Sequence, residues 1–158
     1  MEQNHFKQIP YGVSDFITVV KDNLYYVDKT MYIPELENQA RNLFFIRPRR
    51  FGKSLFISML RAYYDCNTTP EKFQELFGNL WIGKHPTALQ GKFQILYLDF
   101  SQVGGDINSL EKNFDDYCKV CYDYFVDKYA GIYSDDFISQ VHKADSATSK
   151  LNLINAET

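Results

Sequence analysis

The chain has 158 residues, 45% of them hydrophobic and 23% charged, with a net charge of −3. These values fit a soluble globular protein with one core and argue against a protein that coats nucleic acid through its overall field. Residues 1–7 lack the apolar core of a secretory signal, no run reaches the ~20 apolar residues of a membrane span, and three cysteines, an odd number, fit a reducing cytoplasm better than a disulfide framework.

In chain order, Ser14-Asp15 predicts a cap ahead of a short helix holding Phe16, Ile17, Val19 and Val20. Leu24 to Val27 reads as extended, and Asp28 or Thr30 then caps a helix through Met31, Ile33 and Leu36 to about Ala40. Leu43 to Ile46 reads as a buried strand. A helix follows from Lys53 to about Tyr64, with Leu55, Phe56, Met59, Leu60 and Tyr63 on one face. Thr69-Pro70 marks the cap and first turn of the next helix, which carries Phe73, Leu76 and Phe77 and stops by Gly78. Trp81 to Gln90 reads as irregular.

Phe93 to Phe100 is largely apolar throughout, as parallel strands buried on both faces are. Beyond Gly104-Gly105, a long helix spans about Asn108 to Tyr129. Asn108 and Glu111 form its expected capping box, and Leu110, Phe114, Tyr117, Cys121 and Tyr124 its apolar stripe. Ser134 caps a short helix with Phe137, Ile138 and Val141. Residues 144–158 read as a polar tail that frays.

The chemistry concentrates in Arg47-Pro48-Arg49-Arg50-Phe51-Gly52-Lys53-Ser54, between the first strand and the helix after it. A strand, a basic turn and Gly-Lys-Ser opening a helix are the order that a phosphate-binding loop requires. Backbone N–H groups around Arg50 to Ser54 are expected to wrap phosphates. Lys53 reaches their β/γ oxygens, and the Ser54 hydroxyl completes a Mg²⁺ shell. Arg49, Arg50, Phe51, Gly52, Lys53, Ser54 and Leu55 are therefore the candidate nucleotide site. The pattern G-x-x-x-x-G-K-[ST] places a glycine where this chain has Arg47; Pro48 fixes one φ and pushes Arg47 toward an extended conformation in its stead. The bland alternative is a basic surface turn, but a lysine opposing the helix dipole asks for an anion nearby.

The fold class expected is α/β, a partial P-loop core of parallel strands flanked by helices. It divides into a lead-in at 1–41, the core at 42–143 and the tail at 144–158. Asp99 ends an apolar strand and stands as a second candidate for Mg²⁺, with local N–H capping as the plainer role. Cys118 and Cys121 have C-x-x-C spacing but fall mid-helix without a second ligand pair, so core packing is expected of them. His5, His85 and His142 read as surface residues. Asp28-Lys29-Thr30 is a helix cap by composition, and Arg49 and Arg50 stabilise phosphate charge, serve as a finger to a neighbouring subunit, or lie exposed.

With these pieces placed, the chain resembles the N-terminal part of the predicted AAA-ATPase-like family of bacterial proteins. The resemblance rests on Ile9-Pro10-Tyr11-Gly12, Ser14-Asp15-Phe16, Tyr25-Tyr26-Val27-Asp28-Lys29-Thr30 and the Phe45 to Ser54 loop, with weaker echoes through Leu96 to Ser101. It implies ATP binding with Mg²⁺, a loop that lacks the first glycine as a family trait, Asp28-Lys29-Thr30 as part of the wall near the nucleotide, and a restriction-nuclease-like domain further along that is not in this chain. It also implies a Walker B strand ending in Asp-Glu, positioned after the region where this chain stops; no Asp-Glu pair is present. Nucleotide binding with doubtful hydrolysis is the leading expectation. A small-molecule kinase using Asp99 as base and a non-catalytic interaction module are the rivals. Two strands leave a sheet edge uncovered, so low solubility or self-association is expected.

Overall fold

The computed structural model describes residues 7–39 and 42–157. Eight α-helices are present among them: α1 Phe16–Lys21, α2 Ile33–Glu37, α3 Lys53–Tyr64, α4 Pro70–Phe77, α5 Trp81–Lys84, α6 Leu110–Lys128, α7 Asp135–Lys143 and α8 Ala147–Glu157. Short 3-10 turns occupy Thr30–Tyr32 and Phe100–Gln102. The contacts divide the chain into two units, Met1–Gln94 and Ile95–Thr158. Among the described residues, no helix is long and apolar enough to cross a membrane.

The expected α/β fold is wrong for this structure, because no sheet forms among the described residues. The first apolar run, Leu43 to Ile46, joins no strand ladder among the described residues, with Phe44 91% and Ile46 87% exposed. Phe45 stacks on Phe56 of α3 at 5.1 Å between ring centroids. The second run forms a β-bridge at Phe93. Phe93 donates to the Tyr64 carbonyl and accepts from the Cys66 N–H, both at 2.9 Å, a parallel bridge to Asp65. Beyond it, side chains take the place of a neighbouring strand. The Ile95 N–H donates to the Tyr129 hydroxyl at 2.7 Å, and the Asp99 N–H to the Tyr117 hydroxyl at 2.6 Å. Apolar content announces burial or stacking, but a strand exists only where another chain segment takes its polar backbone groups.

The first unit is organised by α3. Met59, Ala62 and Tyr63 on its buried face pack with Phe16, Ile33, Leu76, Phe77 and Ile82, and Leu55, Phe56 and Leu60 flank that core. Ser58 locks α1 to it. Its hydroxyl donates to Asp15 Oδ1 at 2.8 Å and accepts from the Phe16 N–H at 3.0 Å. The other Asp15 oxygen caps α1 through the Thr18 N–H at 2.9 Å, so one carboxylate both starts a helix and fastens it.

Asp28 Oδ1 takes the Thr30 N–H that opens the local 3-10 turn, at 2.8 Å, and Asp28 and Thr30 cap a distant helix as well. Asp28 Oδ2 accepts from the Trp81 N–H at 2.7 Å and Thr30 Oγ1 from the Ile82 N–H at 3.1 Å. These two bonds satisfy the start of α5, within a stretch read from sequence as irregular. Residue 40, where the helix carrying Ile33 and Leu36 was expected to end, lies outside the described residues, as does His5.

In the second unit, the expected stripe of α6 is displaced. Cys118, Tyr122, Phe125 and Val126 are its buried residues, whereas Leu110, Phe114 and Tyr124 are exposed. The reason lies in its partners: α7 and α8 both pack on α6, and Tyr133 and Phe137 stack against one another beside Phe125. Its start is set by Asp106, whose carboxylate accepts from the Asn108 and Ser109 N–H groups, instead of by an Asn108–Glu111 box. Where the tail was expected to fray, α8 forms around Lys150, which is 2% exposed. Its ammonium donates to Asp123 Oδ1 and to the Val141 carbonyl, each at 2.6 Å, capping the last turn of α7.

Ser58→Ala strands the buried Phe16 N–H and is expected to lower the unfolding free energy by about 1–3 kcal/mol in a urea titration. Burial pushes the Asp15 carboxyl upward, but bonds from the Thr18 N–H, the Ser58 hydroxyl and the Thr18 hydroxyl, with the Arg61 charge, bring it below its ordinary 3.8. The stabilisation is therefore present above about pH 4 and lost as pH falls through the lowered folded value. Asp15→Ala should remove that acid-side slope; an unaltered pH profile would exclude this role.

Candidate functional site

The loop between Arg47 and α3 is built from two left-handed residues. Arg50 has φ 65° and Gly52 φ 73°. A non-glycine residue in this region costs roughly 1–2 kcal/mol, so Arg50 is held against its own preference. Phe51, between them, does not share the positive φ. Arg47, the position of the missing glycine, lies outside any regular element.

Gly52 is the N-cap of α3 and offers no side chain to it. The first intrahelical bond is Phe56 N–H to the Gly52 carbonyl at 2.9 Å. The N–H groups of Lys53, Ser54 and Leu55 precede that bond and have no intrahelical acceptor. By contrast, Asp15, Thr69 and Ser134 cap α1, α4 and α7 with their side chains. The open end of α3 thus adds a positive partial charge to a loop that already carries Arg47, Arg49, Arg50 and Lys53. Among the described residues, no carboxylate forms an ion pair with any of these four.

Lys53 folds back across the loop and donates to the Arg47 carbonyl at 2.6 Å, which places its ammonium over the turn instead of out in solvent. The Arg47 guanidinium lies 5.6 Å from the centroid of the Phe45 ring. Arg49, Arg50, Phe51 and Ser54 are exposed, and Leu55 is half-buried. Seven of the sequence candidates therefore share one loop and the first turn of α3.

Asp99 belongs to the second unit. Its Oδ1 accepts from the Ser101 hydroxyl at 2.7 Å and from the Ser101 N–H at 3.1 Å. These bonds, the hydroxyl's first, hold its carboxyl below the usual carboxylate range. It opens the 3-10 turn Phe100–Gln102, the capping role. Cys118 is buried, and no group of three or more His, Cys, Asp or Glu residues able to hold a metal occurs among the described residues.

Sequence reasoning named Lys29, Arg50, Phe51, Gly52 and Leu55 but missed the other walls beside the loop. A cavity of ≈550 Å³ is lined by Lys29, Tyr32, Phe45, Phe51 and Phe56, with Glu35 and Gln39. A second, of ≈320 Å³, lies against Tyr25, Tyr26, Arg50 and Leu55 and shares Lys29, Phe51, Gly52 and Phe56 with the first. The available signal was the i, i+3, i+4, i+7 spacing of Tyr32, Glu35, Leu36 and Gln39, although only Glu35 and Leu36 lie within α2.

A Cβ on Gly52 would meet nothing within 4 Å, so Gly52→Ala tests backbone conformation without crowding. It is expected to cost about 1 kcal/mol in chemical unfolding through the φ of +73° alone. A neutral result would mean that the left-handed turn is not maintained.

No solved structure matches this chain. An uncharacterized protein in the vnfD 5′ region of Azotobacter chroococcum mcd 1 is 36% identical over 88 residues, covering 51% of this chain. That alignment spans 16% of the length of the relative. The model of the family described as Predicted AAA-ATPase matches residues 10–156, and the chain belongs to that family.

Proposed function

We propose that the chain binds the polyphosphate of a nucleoside triphosphate, ATP with Mg²⁺, on the loop from Arg47 to Leu55. The observation that carries this reading is the left-handed pair Arg50 and Gly52 directly before a helix whose first N–H groups have no side-chain cap. A phosphate there meets several N–H donors and the positive helix end together. Lys53 exchanges the neutral Arg47 carbonyl for an anionic oxygen, and a charge-assisted bond to an anion is the stronger of the two. Arg49 and Arg50 supply further charge without an acid to release first.

When bound, Mg²⁺ would neutralise the phosphate charge, with the Ser54 hydroxyl as the contribution of the chain. Most of its ligands would be phosphate oxygens and water, the usual arrangement for this ion. Water activation is a separate requirement. The sequence has no Asp-Glu pair, and the Asp99 carboxylate is engaged by Ser101. Binding without turnover is what these residues support. A second reading, an interaction module, is favoured by the exposed side chains of Leu43, Phe44 and Ile46.

Titration of labelled ATP with and without Mg²⁺, with ADP read in the same tube, tests the proposal. Lys53→Ala is expected to weaken ATP binding at least about tenfold, the scale of a lost charge-assisted bond. Its unfolding midpoint should stay within a degree or two, about what an exposed substitution gives. Equal affinity for ATP in the variant and the parent would remove Lys53 from the site and leave the interaction module standing.

A further inference from the structure

We propose that the aromatic cavity of ≈550 Å³ beside the loop is the base subsite, taking the nucleobase of the same nucleotide by stacking. This rests on the loop binding the phosphates. Three observations carry it. The cavity has the size of a small-molecule site, and its wall includes Phe51 and Gly52, so a ligand with phosphates on the loop enters it without crossing other structure. Four of its lining residues are aromatic: Tyr32, Phe45, Phe51 and Phe56. Two of those rings already stack with each other, Phe45 on Phe56 at 5.1 Å and 25°. Phe51 and Tyr32 remain 63% and 49% exposed, large apolar faces that a flat ring would cover.

The polar groups of the cavity suit the edge of a base. Glu35 accepts only, and the Gln39 amide both donates and accepts. Glu35 stands in α2, and Gln39 follows the end of that helix, four residues on. Stacking is tolerant of base identity, because every base has a π face. The subsite therefore adds affinity for a nucleoside as a class and separates ATP from GTP only weakly.

The experiment compares ATP with inorganic tripolyphosphate on the full chain, in the parent and in Tyr32→Ala and Phe51→Ala. Tyr32 lies outside the loop and Phe51 within it, so the pair separates base contact from loop geometry. The parent should bind ATP about tenfold or more tighter than tripolyphosphate. Tyr32→Ala should lose about tenfold for ATP, the scale of one stacked base, with tripolyphosphate affinity unchanged, and Phe51→Ala, inside the loop, should lose more for ATP than for tripolyphosphate. Equal affinity of the parent for the two ligands, or parallel losses for both in the variants, would overturn the base subsite while the phosphate loop survives. No binding of either ligand to the parent would overturn both.

Discussion

The Ser58 hydroxyl is the pivot of the first unit. By donating to Asp15 and accepting from the Phe16 amide, it joins the start of α1 to the middle of α3, across 42 residues of sequence in the second of those bonds. A serine in a helix interior competes with the backbone and weakens the helix unless its hydroxyl is engaged elsewhere. Here it is engaged, and the cost is offset by the cap that the same carboxylate supplies to α1. With α1 fixed, Phe16 enters the core between Phe77 and Tyr26, at ring separations of 5.1 and 5.2 Å.

The two ends of α3 then have opposite fates. Its C-terminal end is taken up by the segment around Phe93, through Gly91 to the Tyr63 carbonyl and Phe93 to the Tyr64 carbonyl. Its N-terminal end has only glycine before it and no side-chain cap. A helix anchored at one end and bare at the other presents its dipole in a fixed direction, the condition for an anion site that needs little rearrangement. Asp28 and Thr30 act in parallel: by capping α5 they hold the segment from which Lys29 and Tyr32 reach the cavity beside the loop.

The second unit uses side chains for the same purpose. Tyr117 on α6 and Tyr129 at its C-cap accept backbone N–H groups from the segment after Phe93. Lys150 closes the end of α7 while pairing with Asp123. A lysine this deep is tolerated because all three of its protons have oxygen acceptors, at Asp123, Val141 and His142.

Local chemistry was legible from the sequence wherever the partner lay within a turn or two. Asp15, Thr69-Pro70 and Ser134 cap the helices expected of them, and α3 runs from Lys53 to Tyr64 as its periodicity requires. The basic loop and its Gly-Lys-Ser opening were equally visible, since a turn and the first residues of a helix are set by neighbours in the chain. Partners far along the chain were not. Whether Leu43–Ile46 and Phe93–Phe100 pair, which face of α6 is buried, and which distant helix Asp28 caps besides its own turn are all decided by groups tens of residues away. Periodicity identifies an apolar face but does not say what will cover it, and a strand-like composition does not supply the neighbour whose N–H and C=O groups would make it a strand.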